Sequence, residues 1–516
     1  MLKLLRYAKK YIIPAIMSPI LMIGEVVLEL MIPLVMADIV NIVQNGNRVV
    51  GDTFIDVLRQ GFDKILAIFG VEIAYSGMDA ILLLGLEMLM YALGSLFCGA
   101  MAARMAAVAG MGFGATLRQK IMDKIQKFSF SNIDKFSTAS LITRITTDVN
   151  SVQNTFVMMI RMMFRAPVML VVALVITVTM SKDIAKVFLV TLPLIAVILI
   201  IFAPIALKRF KKMLEMFDSF NASIQENLTN IRVVKAFVRS NHEKQKFKKA
   251  NDELMGAALH AEKLMIMGMP AFTIIMYGTV LAILIIAARA ISFEVLSIGD
   301  FSAIFTYIMQ ILIHFIMVVL LIAQLFMSQA SAKRILEVID EVPSICDDDA
   351  SVNEVKDGSI EFQNVTFRYE GASLPTINNA SFKIESGEMV GIIGATGSAK
   401  SSLVQLIPRL YDATEGQVKV SGVNVKNYKI HALRDEVSMV LQKNVLFSGT
   451  IAENLRWGNK DATDEELVAA CEIADAHNFI SSFPDGYNTD LSQGGTNVSG
   501  GQKQRLCIAR AILKKP

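Results

Sequence analysis

The sequence predicts two folds in series: a membrane all-α six-helix transmembrane domain, then an α/β P-loop domain. The first rests on hydropathy. Hydrophobic residues make up 53% of the 516, the mean hydropathy is +0.50, and the apolar excess lies before about residue 330, beyond what a soluble chain carries. The second rests on a change after about residue 345 to short β-type runs separated by turns, one of which feeds the glycine-rich stretch Gly394–Ser402. A formal net charge of +3 leaves no electrostatic footprint for nucleic acid. Cys98, Cys346, Cys471 and Cys507 are scattered, with no metal-ligand spacing, as expected for free thiols in a reducing compartment.

Six apolar segments, Tyr11–Val43, Met78–Met111, Val152–Met180, Ile184–Leu207, Met265–Ile291 and Leu296–Met327, reach the roughly 20 residues that cross a bilayer as helix. Ile65–Tyr75 is apolar but too short, and is placed in an external loop. Lys3, Arg6, Lys9 and Lys10, the Arg118–Lys127 segment and the Lys208–Lys249 segment all fall on one side. That side is cytoplasmic by the positive-inside rule, which puts both termini inside. The two long cytoplasmic connections, around Lys124–Thr147 and Asp218–Arg239, show three- and four-residue spacing and are expected to extend the span helices as helix.

Charged residues inside spans are costly, so Glu25, Glu29, Glu87, Arg161, Arg165 and His314 are candidates for a role. At 1.5 Å per residue Glu25 and Arg165 both lie about 25 Å from the outer ends of their spans, a depth that allows them to pair. Arg161, nearer the inner interface, is expected to snorkel. In span six Gln310, His314, Gln324, Ser328 and Gln329 form a sparse polar stripe among Phe305, Tyr307, Phe315 and Phe326. Together with 30 Met residues in the chain this suits an adaptable cavity for amphipathic cargo. His314 alone is expected to be a satisfied packing residue.

In the second part, Ser359–Phe362, Ala380–Ile384, Met389–Ile393 and Gln417–Val420 read as strands. Met389–Ile393, bounded by Gly387 and Gly394, has the pattern of a buried strand. It leads into Gly394, Ala395, Thr396, Gly397, Ser398, Ala399, Lys400, Ser401 and Ser402, then into a helix expected over Leu403–Leu410. Strand, loop and helix in that order are the context of a phosphate-cradling loop, with Lys400 toward the β/γ-phosphates and the Ser401 hydroxyl toward Mg²⁺. Ala399 stands where glycine is usual. At positive φ its Cβ would add strain of about 1 kcal/mol or more.

With these motifs in order, the chain resembles an exporter-type ABC half-transporter, multidrug-exporter-like, with a membrane domain fused ahead of its ATP-binding cassette. The resemblance covers essentially the whole chain. It implies that Tyr369 stacks on adenine, that Gln442 touches Mg²⁺ and the attacking water, and that Ser499, Gly500, Gly501 and Gln502 form the signature, with Val498 replacing the common Leu. In the family that signature faces the P-loop of the opposite subunit. The resemblance therefore implies ATP and Mg²⁺ as cofactors, Ser401 and Gln442 as the metal-contacting residues, and a second half-transporter as partner. Ser129–Ser137 and Asp218–Glu226 would be the coupling elements that ride on the cassettes.

The family's Walker B carboxylates and switch histidine do not occur before Pro516, so no catalytic residue is assigned, and a longer native chain with a C-terminally incomplete cassette is expected. The domains are read as 1–330 transmembrane, 331–357 linker and 358–516 cassette. The favoured function is ATP-driven export of hydrophobic or amphipathic small molecules across the plasma membrane. Because asymmetric pairs in the family it resembles carry one weakened site, Ala399 leans toward the regulatory reading below, and a heterodimer is favoured over a homodimer. The alternatives are a regulatory, hydrolysis-deficient subunit, or a lipid flippase or importer on the same architecture.

Overall fold

The computed structural model describes residues 2–45, 77–347 and 352–516. The apolar segment Ile65–Tyr75 lies outside the described residues. Two compact units are present, and neither is a continuous stretch of chain: residues 1–118 with 147–334, and residues 119–146 with 335–516.

The spans of the first unit are helical because they are apolar, and in hydrocarbon only internally bonded backbone is stable. A 3₁₀ segment, Leu2–Tyr11, leads into α1 (Ile12–Asn45); α2 (Gly77–Ile125) ends in the second unit. After α3 (Phe130–Phe136) and α4 (Thr138–Thr143), which belong to the second unit, come α5 (Val149–Met180), α6 (Lys182–Thr229), α7 (Ile231–Ala236), α8 (Ser240–Ser292) and α9 (Ile298–Asp340). Among the described residues six helices are long and apolar enough to cross a membrane, and the six expected spans overlap them one to one, the sixth over Ile298–Ile322. As expected, α2, α6 and α8 run well past their apolar stretches. The break in the second long connection comes at Asn230, so Asp218–Glu226 is an internal part of α6, and the separate short helix is α7. Asp218–Glu226 carries no break signal, whereas Asn230 caps the carbonyl of Glu226 with its own amide (3.0 Å).

The core of this unit joins Leu30 and Leu34 of α1, Met169 and Ala173 of α5, Phe188 of α6, Ile283 of α8 and Tyr307 and Ile311 of α9. Tyr307 is fully buried and donates its hydroxyl proton to the Leu30 carbonyl at 2.5 Å, the partner a buried phenol needs. Helix α2 meets its neighbours through small residues, which let helices approach closely. A Cβ on Gly110 or Gly114 would collide with Val157 or Gln153 of α5, and one on Gly99 would reach the Glu25 carboxylate at 2.9 Å.

Arg165 pairs with Glu25, as expected from depth, and also with Glu29 through Nη2 at 2.8 Å. Glu29 lies one helical turn from Glu25, so both carboxylates point from one face of α1. Arg161 does not follow expectation in full: its Nε is buried with no hydrogen-bond partner among the described residues. Of the polar stripe on α9, His314 is satisfied by the Gln310 carbonyl (2.9 Å), Gln324 donates to Thr155 Oγ1 (3.3 Å), Ser328 is buried and Gln329 is exposed. A cavity of about 240 Å³ beside Gln324 is lined by Met158, Met159, Met163, Pro167 and Leu321.

The second unit contains β1 (Ile360–Phe367), β2 (Ile377–Ile384), α10 (Lys400–Gln405), β3 (Glu415–Val420), β4 (Val423–Asn424), α11 (Ile430–Glu436), β5 (Gly449–Thr450), α12 (Ile451–Leu455), α13 (Asp464–Ile473), α14 (His477–Ser481), β6 (Asp490–Leu491) and α15 (Gly500–Leu513). An antiparallel sheet of order β2-β1-β3-β4 covers one core, built on Phe362, Val365, Phe367, Val418, Leu406 and Tyr411. A second core gathers α12 to α15 around Leu467, Cys471, Ile480, Leu491 and Leu506. Burial there pushes the Cys471 thiol up to about 11, and all four cysteines are unpaired.

Helix α3 is held in this unit by polar bonds to the segment after α9. Ser129 caps it in a capping box with Asn132. Asn132 Nδ2 donates to Glu341 Oε1 at 3.0 Å, and Lys135 pairs with Glu341 at 2.9 Å. Nearby, Arg144 pairs with Glu337 at 3.0 Å.

Candidate nucleotide-binding site

Strand β1 delivers Phe367 to the core and Tyr369 just beyond it. The ring of Tyr369 stands edge-on to Phe367 (4.8 Å, 74°) and to Tyr411 (5.3 Å, 84°), and its hydroxyl lies 2.9 Å from Ser402 Oγ. The expected aromatic and the expected loop are thus brought together through Ser402.

The loop itself is exposed and closes on its own backbone: Ser398 N donates to the Ala395 carbonyl (3.2 Å). Gly397 has φ +88, which glycine adopts freely. Ala399 sits at φ 64, ψ 16, in the left-handed region where a Cβ is strained. The Leu403 amide then donates to the Ala399 carbonyl (3.0 Å), so the helix begins at Lys400, three residues earlier than expected, and ends at Gln405. The early start follows from the backbone reversal at Ala399, a feature that apolar spacing does not report. Lys400 Nζ donates to the carbonyls of Gly394 and Ala395, both at 2.8 Å, and approaches Ser398 Oγ at 3.3 Å. The ammonium is therefore aimed into the ring that Gly394–Ser398 describes.

The strand expected at Met389–Ile393 is not formed. The segment is not paired as a strand, and Met389 and Ile393 are 99% and 98% exposed. An apolar strand of this kind needs neighbours on both edges, and the antiparallel sheet β2-β1-β3-β4 supplies none. Gln442 is likewise exposed and outside any regular element.

Ser499 to Gln502 lie at the start of α15, as the sequence suggested. Ser499 is the N-cap, its amide donating to Gln502 Oε1 at 2.8 Å and its hydroxyl accepting from Gln502 N at 3.3 Å. Val498 is buried in the helical core and fixes the turn. Gly500 and Gly501 are exposed, with nothing within 4 Å of where a Cβ would stand, in the first turn, at the positive end, of a 14-residue helix. No hydrogen bond among the described residues joins Gln442 or Ser499–Gln502 to the Gly394–Ser402 loop. The structure brings Tyr369, Ser402, Lys400 and the loop together, while the signature residues belong with the helical core.

No group of three or more His, Cys, Asp or Glu side chains that could hold a metal occurs among the described residues. Of the two residues expected to contact Mg²⁺, Ser401 stands in the first turn of α10, beside the loop, and Gln442 lies exposed outside any regular element. Such a set fits a Mg²⁺ that arrives with phosphate oxygens and keeps its waters, rather than one caged by protein.

Sequence reasoning did not single out Asp134 and Tyr411. The Tyr411 hydroxyl donates to Asp134 Oδ2 at 2.6 Å, and burial together with that carboxylate raises its pKa well above the ordinary tyrosine value. Tyr411 and Asp134 are far apart in sequence, and no spacing pattern signals such a pair.

Residues 15–315 match the family model described as the ABC transporter transmembrane region, and residues 377–516 match that described as ABC transporter. The chain is 35% identical over 520 residues to an uncharacterised ABC transporter ATP-binding protein, YfiB, of Bacillus subtilis strain 168, covering 100% of this chain and 85% of that protein. It is 31% identical over 405 residues to YgaD of the same strain, provisionally named a multidrug export ATP-binding/permease protein (78% of this chain, 69% of that one). It is 29% identical over 406 residues to an ATP-dependent lipid A-core flippase of Syntrophus aciditrophicus (78% of this chain, 67% of that one).

Proposed function

Because this chain belongs to the ABC transporter family, as an exporter-type half with its membrane and ATP-binding parts fused, we propose that it exports hydrophobic or amphipathic small molecules as one half of a heterodimer. We place it in the plasma membrane with both termini cytoplasmic, and take residues 1–330 as transmembrane domain, 331–357 as linker and 358–516 as cassette. In this reading Tyr369 and the Gly394–Ser402 loop would hold ATP, and Ser401 and Gln442 would be the residues that hold a Mg²⁺ brought with it, which would neutralise phosphate charge.

The observation that carries the dimer reading is the signature turn. Gly500 and Gly501 are open above a capped helix end, while no hydrogen bond among the described residues ties that turn to the chain's own phosphate loop. Such an arrangement suits a γ-phosphate presented by a second subunit. Ala399 in the left-handed region supports the heterodimer: it weakens this chain's own loop while leaving the signature free to complete a partner's site. The Met-lined cavity beside Gln324 supports amphipathic cargo. The flippase relative keeps a lipid among the candidate cargoes.

Vanadate-sensitive ATP hydrolysis, measured on the reconstituted protein with and without a candidate partner half, tests this. Hydrolysis is expected only with the partner. Turnover by this chain alone at the rate of the pair would overturn the heterodimer reading.

A further inference from the structure

We infer that Asp134, on α3, is a positioning residue for the nucleotide base: it holds Tyr411, and Tyr411 holds the ring of Tyr369 in the pose against which the base stacks. The inference rests on the proposed role of Tyr369 and deepens it.

The chain of contacts is continuous. Asp134 accepts the Tyr411 hydroxyl at 2.6 Å. The Tyr411 ring is edge-on to Tyr369 at 5.3 Å, and lies 5.6 Å from Phe367 and 5.9 Å from Phe130 of α3. Tyr369 is fixed at its other end by Ser402 Oγ, beside the phosphate loop. Its freedom to swing is therefore set by three neighbours: Ser402 on the loop side, Phe367 at the end of β1, and Tyr411, which Asp134 holds.

Two features mark Asp134 as the member that acts. Lys135, adjacent on α3, is already engaged by Glu341 at 2.9 Å, so it leaves the Asp134 carboxylate to Tyr411. Space is also present where a base would enter: a cavity of about 480 Å³ opens here, lined by Asp134, Lys135, Arg368, Tyr369, Glu370 and Tyr411. Tilting Tyr411 would remove one wall of that cavity and the edge contact that orients Tyr369. Because α3 lies in the sequence between α2 and α5, any displacement of α3 would be read as a change in base affinity, and base binding would in turn favour the seated position of α3.

The test measures binding of ATP and of inorganic tripolyphosphate, which has no base, to the purified protein and its variants. Tyr411→Phe and Asp134→Leu should each weaken ATP about threefold to tenfold, the worth of one oriented aromatic contact, and leave tripolyphosphate unchanged. The double variant should be no weaker than either single, because both break one contact. Asp134→Asn, which keeps an acceptor oxygen, should retain most of the affinity. Unchanged ATP binding in the single variants, parallel loss of tripolyphosphate, or losses that multiply in the double variant would each overturn the inference. Tyr369→Leu separates the two readings. If it weakens ATP while the Asp134 and Tyr411 variants do not, the positioning role alone fails. If it leaves ATP binding intact, the base-stacking role of Tyr369 fails, and the inference with it.

Discussion

Replacing Arg165 with Met should destabilise the helical unit strongly, and removing its partners as well should restore most of the loss. Arg165 lies between Glu25 and Glu29, whose side chains are 13% and 31% exposed. In Arg165→Met two carboxylates one turn apart on α1 face an apolar neighbour with no cation between them. Stripping the partner from a buried ion pair costs about 3–5 kcal/mol. Glu29, nearly a third exposed, recovers part of that by rehydrating, so about 2–4 kcal/mol is expected. The triple variant Glu25→Gln, Glu29→Gln, Arg165→Met leaves no stranded charge and should return to within about 1–2 kcal/mol of the parent. The assay is loss of helicity on titration with a denaturing detergent in mixed micelles. A single variant that unfolds with the parent, or a triple as unstable as the single, would refute the argument. Gly99→Val offers an independent approach to the same site. Its Cβ would meet the Glu25 carboxylate at 2.9 Å, so its cost should shrink in a Glu25→Ala background.

Three further outcomes are expected. Ala399→Gly removes about 1–2 kcal/mol of left-handed strain and gives back roughly 0.4–1 kcal/mol of chain freedom. ATP should therefore bind a few-fold more tightly, and weaker binding would count against the strain. Ser499→Ala deletes the cap of α15, worth about 1 kcal/mol; amide exchange in the first turn of that helix should quicken about fivefold, and unchanged exchange would show that the cap bond contributes nothing. Tyr411 and Tyr487 have hydroxyls pushed above their ordinary value of 10.0, with burial the leading cause. A raised pKa means that the folded state keeps protons the unfolded chain releases, so their contribution is complete below pH 10 and falls as pH rises above it. Unfolding of the second unit, followed in the whole protein from pH 9 to 11, should show that decline, smaller in Tyr487→Phe; a flat profile would contradict it.

The membrane helices were legible because long apolar runs leave the backbone few alternatives, and depth alone paired Glu25 with Arg165. Glu29 as a third member was missed, although its four-residue spacing from Glu25 was there to be read. The strain at Ala399 was legible because a phosphate-cradling loop dictates backbone sign at that position. Local apolar pattern failed where the outcome depends on neighbours or on backbone reversal. Met389–Ile393 has the composition of a strand, but pairing requires a partner strand, and the start of α10 was set by Ala399 rather than by its leucines. The Asp134–Tyr411 bond had no sequence signal, since it joins elements far apart in the chain.

The interleaving of the two units bears on how the protein is made. Residues 119–146 leave the ribosome with their cap at Ser129 ready to form, yet the chain that seats α3 begins only at residue 335. At about 5–20 residues per second the intervening segment takes roughly ten to forty seconds to synthesise. Throughout that interval Phe130 and Asp134 have nothing to dock on, while the helices that flank them in sequence are being threaded into lipid. The second unit is thus completed only when a segment made early meets one made late. Substitutions in α3 should therefore lower the yield of folded protein even where the finished molecule tolerates them.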